Sequence, residues 1–211
     1  MKKRGLLVVI SGFAGSGKGT ICKELMRQHD NYAFSVSATT RDPRPGEVDG
    51  VDYFFITKER FLEMIDAGEL LEYAQYVSNY YGTPRTYVEQ KLQEGKDVIL
   101  EIECQGALQV KEMFPEAVLF FVMPPTVQEI YNRLKGRGTE SEEVILKRMK
   151  RGQEEAEVIG RYDYLLVNDD LDETVRFLHE TVNSARYATE RNREFVESIK
   201  TGFVEFLKEH V

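Results

Sequence analysis

Lys18 carries the plainest chemistry in the chain. It sits in Gly12–Thr20, which read GFAGSGKGT, so Gly12 is followed five residues later by Gly17-Lys18. Glycines at that spacing let backbone N–H groups turn inward around a polyphosphate, where side chains would block them. The lysine adds a full positive charge aimed at the β- and γ-phosphates. The position after such a lysine is normally Ser or Thr, whose hydroxyl reaches a magnesium ion; here it is Gly19, and the hydroxyl follows on Thr20. A phosphate loop is therefore expected over Gly12, Phe13, Ala14, Gly15, Ser16, Gly17, Lys18, Gly19 and Thr20, with Thr20 as a candidate metal contact.

Two carboxylates and two sets of arginines come next. Val98–Glu103 reads VILEIE, and strand alternation would put Glu101 and Glu103 on one face. That face lies at the carboxyl end of a strand, where open α/β sheets bind ligands. Ser37–Asp52 holds prolines and glycines but no apolar run, and within this loop Arg41 and Arg44 are spaced by three. Arg133, Arg137, Arg148 and Arg151 are spread along a helix–glycine hinge–helix segment, with Thr139 and Glu142 as a capping box. By charge alone this reads as a solvated hairpin, because Glu140, Glu142 and Glu143 dilute it. His29, His179 and His210 have no metal-ligand spacing, which leaves zinc chemistry without support.

These groups need elements to hold them. Leu6–Ile10 has the length and β-branching of a buried strand, and Ile21–Arg27 reads as a helix directly after the loop. Strands are further expected at 32–36, 53–56, 70–77, 98–103, 118–122 and 164–167. Asn79–Pro84 is expected as a turn. Helices are expected from Thr57 to Ala67, over 88–93 and 107–113, from Pro124 through Leu134, and from about Asp172. Strand and helix alternate as in an α/β fold with a parallel sheet flanked by helices. With 211 residues there is room for one sizeable domain or a core with inserted lobes. A net charge of −8 argues against a nucleic-acid or anionic-membrane surface. Two cysteines, Cys22 and Cys104, suit a reducing compartment, and no stretch approaches a membrane span, so a cytoplasmic protein is expected.

Several of these stretches, in order, resemble the guanylate kinase family: GFAGSGKGT, FSVSATTRDPRPGEVDGVDYFF, LLEYAQYVSNYYGTP, VILEIECQGA and RLKGRGTESEEVILKRM. The resemblance runs from the phosphate loop to about Arg191. It implies a phosphate-loop NTPase core over 1–36, 92–132 and 157–211, a GMP-binding lobe over 37–91 and a helical lid over 133–156. It also implies transfer of the γ-phosphoryl group of ATP to GMP, and to dGMP, with Mg2+ as cofactor. That reaction is a step in guanine nucleotide synthesis and GMP recycling. By the same resemblance, Arg41, Arg44, Tyr53 and Tyr81 hold the GMP phosphate. Ser37, Glu72, Thr83 and Glu103 read guanine, with Glu103 standing where relatives usually have Asp. Glu101 organises magnesium-bound water and Asn168 lies on the adenine side. Lys18, Arg41, Arg133, Arg137 and Arg148 form the catalytic set.

Two other readings stay open: a kinase of a phosphorylated sugar, and a non-catalytic guanylate-kinase-like binding module. The set Ser37, Glu72 and Thr83 has no evident use in the first, and the second usually lacks residues retained here as Lys18, Arg137 and Arg148. Beyond the resemblance, Phe195, Val196, Ile199, Phe203, Phe206 and Leu207 recur at helical spacing. That stripe is expected to pack on the core or on a second subunit, the latter making a homo-oligomer. A membrane is disfavoured by the mixed charges of the polar face.

Overall fold

The computed structural model describes residues 4–76, 78–136, 138 and 141–210. Its main sheet has the order β2-β7-β1-β8-β9, formed by Tyr32–Phe34, Asp97–Glu101, Leu7–Gly12, Val118–Met123 and Tyr164–Val167, all parallel. β1 is buried along its whole length, as its unbroken apolar run requires when helices cover both faces. One face packs Ile21 and Leu25 of α1 (Lys18–Gln28) with Val175, Leu178 and Val182 of α7 (Leu171–Ala185). The other packs Ala107 and Val110 of α4 (Cys104–Met113) with Val88 and Leu92 of α3 (Arg85–Gln93). The helices that follow the adjacent strands β1 and β7 thus leave to opposite faces. This opens a crevice at their carboxyl ends, where ligands of such sheets bind.

A second sheet, in the order β4-β3-β6-β5, joins Phe54–Phe55, Ala38–Thr39, Asn79–Pro84 and Leu70–Tyr76. Against it packs α2 (Lys58–Asp66), which Thr57 caps by accepting the Arg60 N–H at 3.2 Å. Past β8, α5 (Val127–Gly136) and α6 (Glu142–Ala156) form a helical pair. Asp170 caps α7 through the Glu173 N–H at 2.9 Å. The final helix, α8, covers Arg193–His210. Among the described residues no helix is long and apolar enough to cross a membrane.

Four expectations are corrected. Asn79–Pro84 is strand β6, antiparallel to β5 through a hairpin that closes at Tyr76 and Asn79. Its turn-type residues have other work. A Cβ on Gly82 would meet Glu72 O at 2.8 Å, and Pro84 stands at the N-cap of α3. The loop over 37–52 contains β3, which pairs with β4 and β6. β7 ends at Glu101, and Glu103 is the N-cap residue of α4, so strand alternation does not carry both carboxylates. The tail helix exists, but no residue of it is buried, so its stripe does not pack on the core. Arg137 and the Thr139 of the expected capping box lie outside the described residues; Ser141 is the N-cap of α6.

Candidate active site

The phosphate loop joins β1 to α1 in backbone that only glycine accepts. Gly12 has φ 144°, and a Cβ there would fall 2.0 Å from Val122 O. Gly17, the N-cap of α1, has φ 94°, and its Cβ would fall 2.3 Å from Asn168 Nδ2. With no side chain capping α1, its first N–H groups stay available to an anion. Lys18 Nζ donates to Gly12 O at 2.7 Å and Phe13 O at 3.1 Å, so the loop's own carbonyls hold its charge.

Side chains behind the loop fix its shape. Asn168, at the end of β9, donates from Nδ2 to Ser16 O at 2.7 Å. Arg133 on α5 donates to Asn168 O at 2.9 Å and pairs with Glu129 at 2.8 Å. Glu101 lies beside the start of α1: a Cβ on Gly19 would stand 3.6 Å from its Oε2. Burial raises the Glu101 pKa, and the Lys18 charge partly offsets that. Thr20 follows within the first turn of α1, and its side chain is exposed. A half-buried carboxylate, a hydroxyl and substrate phosphates are hard oxygen donors of the kind Mg2+ takes, and such sites usually need only one or two carboxylates. The described residues hold no cluster of three or more His, Cys, Asp or Glu that could cage a metal alone.

On the small lobe, Arg41 lies 5.2 Å from the ring centre of Tyr53, which itself stands 6.2 Å from Tyr81. Glu47 takes the fork of Arg41 at 2.8 and 2.9 Å, and accepts the Arg44 N–H at 2.7 Å. These contacts hold the Glu47 carboxyl down at about 2. The Arg44 residue is exposed. Burial raises the Tyr53 pKa, the Arg41 charge lowers it, and Tyr81 and Glu101 add to the rise. Deeper in the lobe, Glu72 is buried and its Oε1 accepts the Thr83 hydroxyl at 2.7 Å. Burial pushes the Glu72 pKa to about 7 against those hydrogen bonds. Ser37 is half-buried at the lobe's edge, its carbonyl accepting Phe54 N–H at 2.8 Å.

Glu103 does not sit with Glu72 and Thr83 as a free acceptor: it pairs with Arg151 of α6 at 3.1 Å. Arg148 is half-buried on the same helix. Sequence reading missed three residues that shape these groups: Glu47, Glu129 and Gly106. Glu47 is the only carboxylate between Arg44 and Val48, and a glycine in the first turn of a helix is a costly choice that signals close packing.

Two anion sites on separate lobes, one suited to a polyphosphate and one beside a buried acidic pocket, are what passing a phosphoryl group between two nucleotides requires. The fold and site thus define the class of phosphate-loop phosphotransferases. Comparison with known proteins narrows this. Residues 4–185 match the guanylate kinase family model. The chain is 52% identical over 191 residues to the guanylate kinase of Oceanobacillus iheyensis, covering 90% of this chain and 93% of that one. It is 53% identical over 190 residues to the guanylate kinase of Halalkalibacterium halodurans, with coverage of 90% and 93%. The crystal structure of guanylate kinase from Anaplasma phagocytophilum superposes with a TM-score of 0.73 at 34% identity, covering 93% of this chain and 96% of that one. The chain belongs to the guanylate kinase family. Its activity is that of an ATP:GMP phosphotransferase, with ATP and GMP as substrates.

Proposed function

We propose that the reaction is run by three parts: a core over 1–36, 92–132 and 157–211, a GMP lobe over 37–91 and a lid over 133–156. Phosphoryl transfer asks little covalent work of a protein; it needs two substrates in line and positive charge on the moving oxygens. Lys18 and the amides of the loop from Gly12 to Thr20 hold the β- and γ-phosphates. Lys18 then exchanges the Gly12 and Phe13 carbonyls for phosphate oxygens. Arg41, Arg44, Tyr53 and Tyr81 hold the GMP phosphate, one of whose oxygens attacks the γ-phosphorus while the bond to the β-phosphate oxygen breaks. Arg133, Arg137 and Arg148 close over the triphosphate and neutralise its charge; Arg133 must first leave Glu129 and Asn168 O. Asn168 lies on the adenine side. Thr20 and, through bound water, Glu101 would hold Mg2+, which would supply charge neutralisation at the β- and γ-phosphates.

Guanine is read by Glu72, with Ser37 and Thr83 beside it and Glu103 joining once it leaves Arg151, and dGMP is accepted as well. The observation that carries this reading is the buried Glu72 carboxylate anchored through one oxygen by Thr83. Its other oxygen suits the adjacent ring and amino N–H donors of guanine. The buried free thiols Cys22 and Cys104 favour a reducing, cytoplasmic location. A coupled ADP-release assay with ATP, Mg2+ and a panel of nucleoside monophosphates tests the reading. GMP and dGMP should exceed AMP, CMP and UMP by orders of magnitude. Equal rates with AMP would overturn it.

A further inference from the structure

Arg151 lies between two carboxylates of different elements. Its Nη2 donates to Glu103, the N-cap residue of α4, and its Nε donates to Glu155 one turn further along α6, each at 3.1 Å. The two partners differ in burial: the Glu103 side chain is 63% exposed and that of Glu155 only 11%. Burial raises the Glu155 pKa and the hydrogen bond from Arg151 draws it back, so this is the contact α6 gains from keeping. Glu103 is the partner that Arg151 can give up, because an exposed carboxylate passes readily to water or to another donor. Beside the pair, a cleft of about 510 Å3 runs between the helices, walled by Cys104 and Leu108 on α4 and by Lys150 and Glu154 on α6. The ion pair thus bridges a gap between the core and the lid.

The same turn of α6 meets the phosphate loop. A Cβ on Gly152 would stand 3.5 Å from the Phe13 ring, and Phe13 packs with Cys104, Ile145 and Met149. Arg148 lies three residues before Arg151, which in an α-helix is about 4.5 Å along the axis. On the proposed mechanism Arg148 moves to the triphosphate when ATP binds. A helix moves as one body, so that motion carries Arg151 with it and strains its contact with Glu103. We propose that Arg151 is a positioning residue that keeps Glu103 from guanine until the lid closes, so that ATP tightens the binding of GMP. This rests on the reading of Glu103 as a guanine acceptor, and Arg151 acts only through that carboxylate. Glu103 must lose its ion pair before it can accept the guanine donors, and an exposed pair is worth up to about fivefold in an equilibrium constant. Closing the lid should therefore tighten GMP by no more than that factor, and by linkage GMP should tighten ATP equally.

Isothermal titration calorimetry of the full chain with GMP tests this, run with no other nucleotide and again with Mg2+ and a saturating β,γ-imido analogue of ATP. In the wild type the analogue should lower Kd for GMP by about threefold. Arg151→Gln keeps most of the length and removes the charge at an exposed position, so the fold is not at stake. Without the analogue this variant should already bind GMP about threefold tighter than the wild type, and the analogue should then add little. In a Glu103→Gln background, Arg151→Gln should change nothing. Glu103→Gln alone should weaken GMP when the analogue is present. If it does so while Arg151→Gln leaves Kd unchanged or raises it, Glu103 reads the base without being withheld, and the proposal alone is overturned. If Glu103→Gln has no effect, the assignment of Glu103 to guanine fails and the proposal fails with it. An equal effect of Arg151→Gln in both backgrounds would also overturn it, since a change of net charge near the site acts in that way.

Discussion

A Cβ on Gly106 would stand 2.5 Å from Oε2 of Glu72, so the missing side chain in the first turn of α4 makes the room that this carboxylate occupies. Glu72 cannot easily retreat, because Thr83 holds its other oxygen and it is buried. Gly106→Ala should therefore displace the carboxylate while favouring the helix, where alanine is better than glycine by about 1 kcal/mol. The expected result separates stability from binding. Thermal unfolding should be unchanged or later and KM for ATP unchanged, while KM for GMP should rise at least roughly tenfold, the worth of one charged hydrogen bond. An unchanged KM for GMP would mean that the position of Glu72 does not matter to the base.

Glu72 itself should make GMP use depend on pH. Its pKa of about 7 reflects burial, and only the ionised form can accept both guanine donors. kcat/KM for GMP should fall as pH drops below about 7, through a step that Glu72→Gln lacks; ionisation of the GMP phosphate is common to both enzymes and cancels. Stability has the opposite sign. A folded pKa raised from 4.5 stabilises fully below 4.5, and that contribution is lost as pH rises through about 7. The melting temperature of the free protein should consequently decline from pH 5 to 8 more in the wild type than in Glu72→Gln. Adenine offers an acceptor where guanine offers a donor, so the same substitution should also narrow the GMP/AMP ratio. A GMP efficiency cut by at least roughly tenfold is expected.

What could be read from the sequence was local, and what could not was set by contacts between distant segments. The phosphate loop was legible because glycine spacing, lysine and the flanking strand and helix lie in one short stretch. The buried strands β1 and β8 were legible from their unbroken apolar runs. β6 was not, since Asn79, Gly82 and Pro84 are turn residues by type, and only the packing of Phe61 and Glu72 explains a glycine within a strand. The partnership of Arg133 with Asn168 spans 35 residues, and no spacing rule reaches it. Glu103 reads as a strand residue, but β7 ends at Glu101 and Glu103 stands at the N-cap of α4.

Lys18 is the only charged side chain of the phosphate loop. On the proposed mechanism its contact strengthens as charge moves onto the departing phosphate, so its loss should lower kcat rather than only binding. Lys18→Ala should lose at least roughly a hundredfold in turnover. Circular dichroism should remain that of the wild type, because the two contacts Lys18 makes here are to carbonyls of its own loop and tie no separate elements together. Near-normal turnover in the folded variant would remove the loop from the chemistry.

Asp97 should matter to stability and not to chemistry. It is fully buried at the start of β7, where it accepts Leu6 N–H at 2.8 Å, Asn31 Nδ2 at 2.9 Å and the Arg186 guanidinium. The carboxylate thereby ties β1, β7 and the end of α7 together. Asp97→Ala strands a buried N–H and an arginine, a loss of about 3–5 kcal/mol for a broken buried pair. Denaturant unfolding should show that loss, while KM for GMP well below the melting transition stays as in the wild type. A loss under about 1 kcal/mol would mean that water replaces the carboxylate without cost.

Glu47 and Arg41 allow the sharpest test of the GMP lobe, because two opposite outcomes are possible. The carboxylate occupies two of the five N–H donors of Arg41, and Asp42 O takes a third at 2.6 Å. If these contacts competed with the substrate phosphate, removing them would tighten GMP binding. The geometry favours orientation instead. Glu47 also accepts the Arg44 N–H, and the guanidinium rests 5.2 Å from the Tyr53 ring and 5.6 Å from the Phe55 ring. Its plane is thus fixed before substrate arrives, which lowers the entropic cost of binding. Glu47→Ala should raise KM for GMP by roughly tenfold, the scale of one charge-assisted hydrogen bond, and change KM for ATP little. Glu47→Gln keeps the shape and one acceptor, so it should recover part of the loss. A fall in KM for GMP in Glu47→Ala would show that the carboxylate competes for Arg41 and does not orient it.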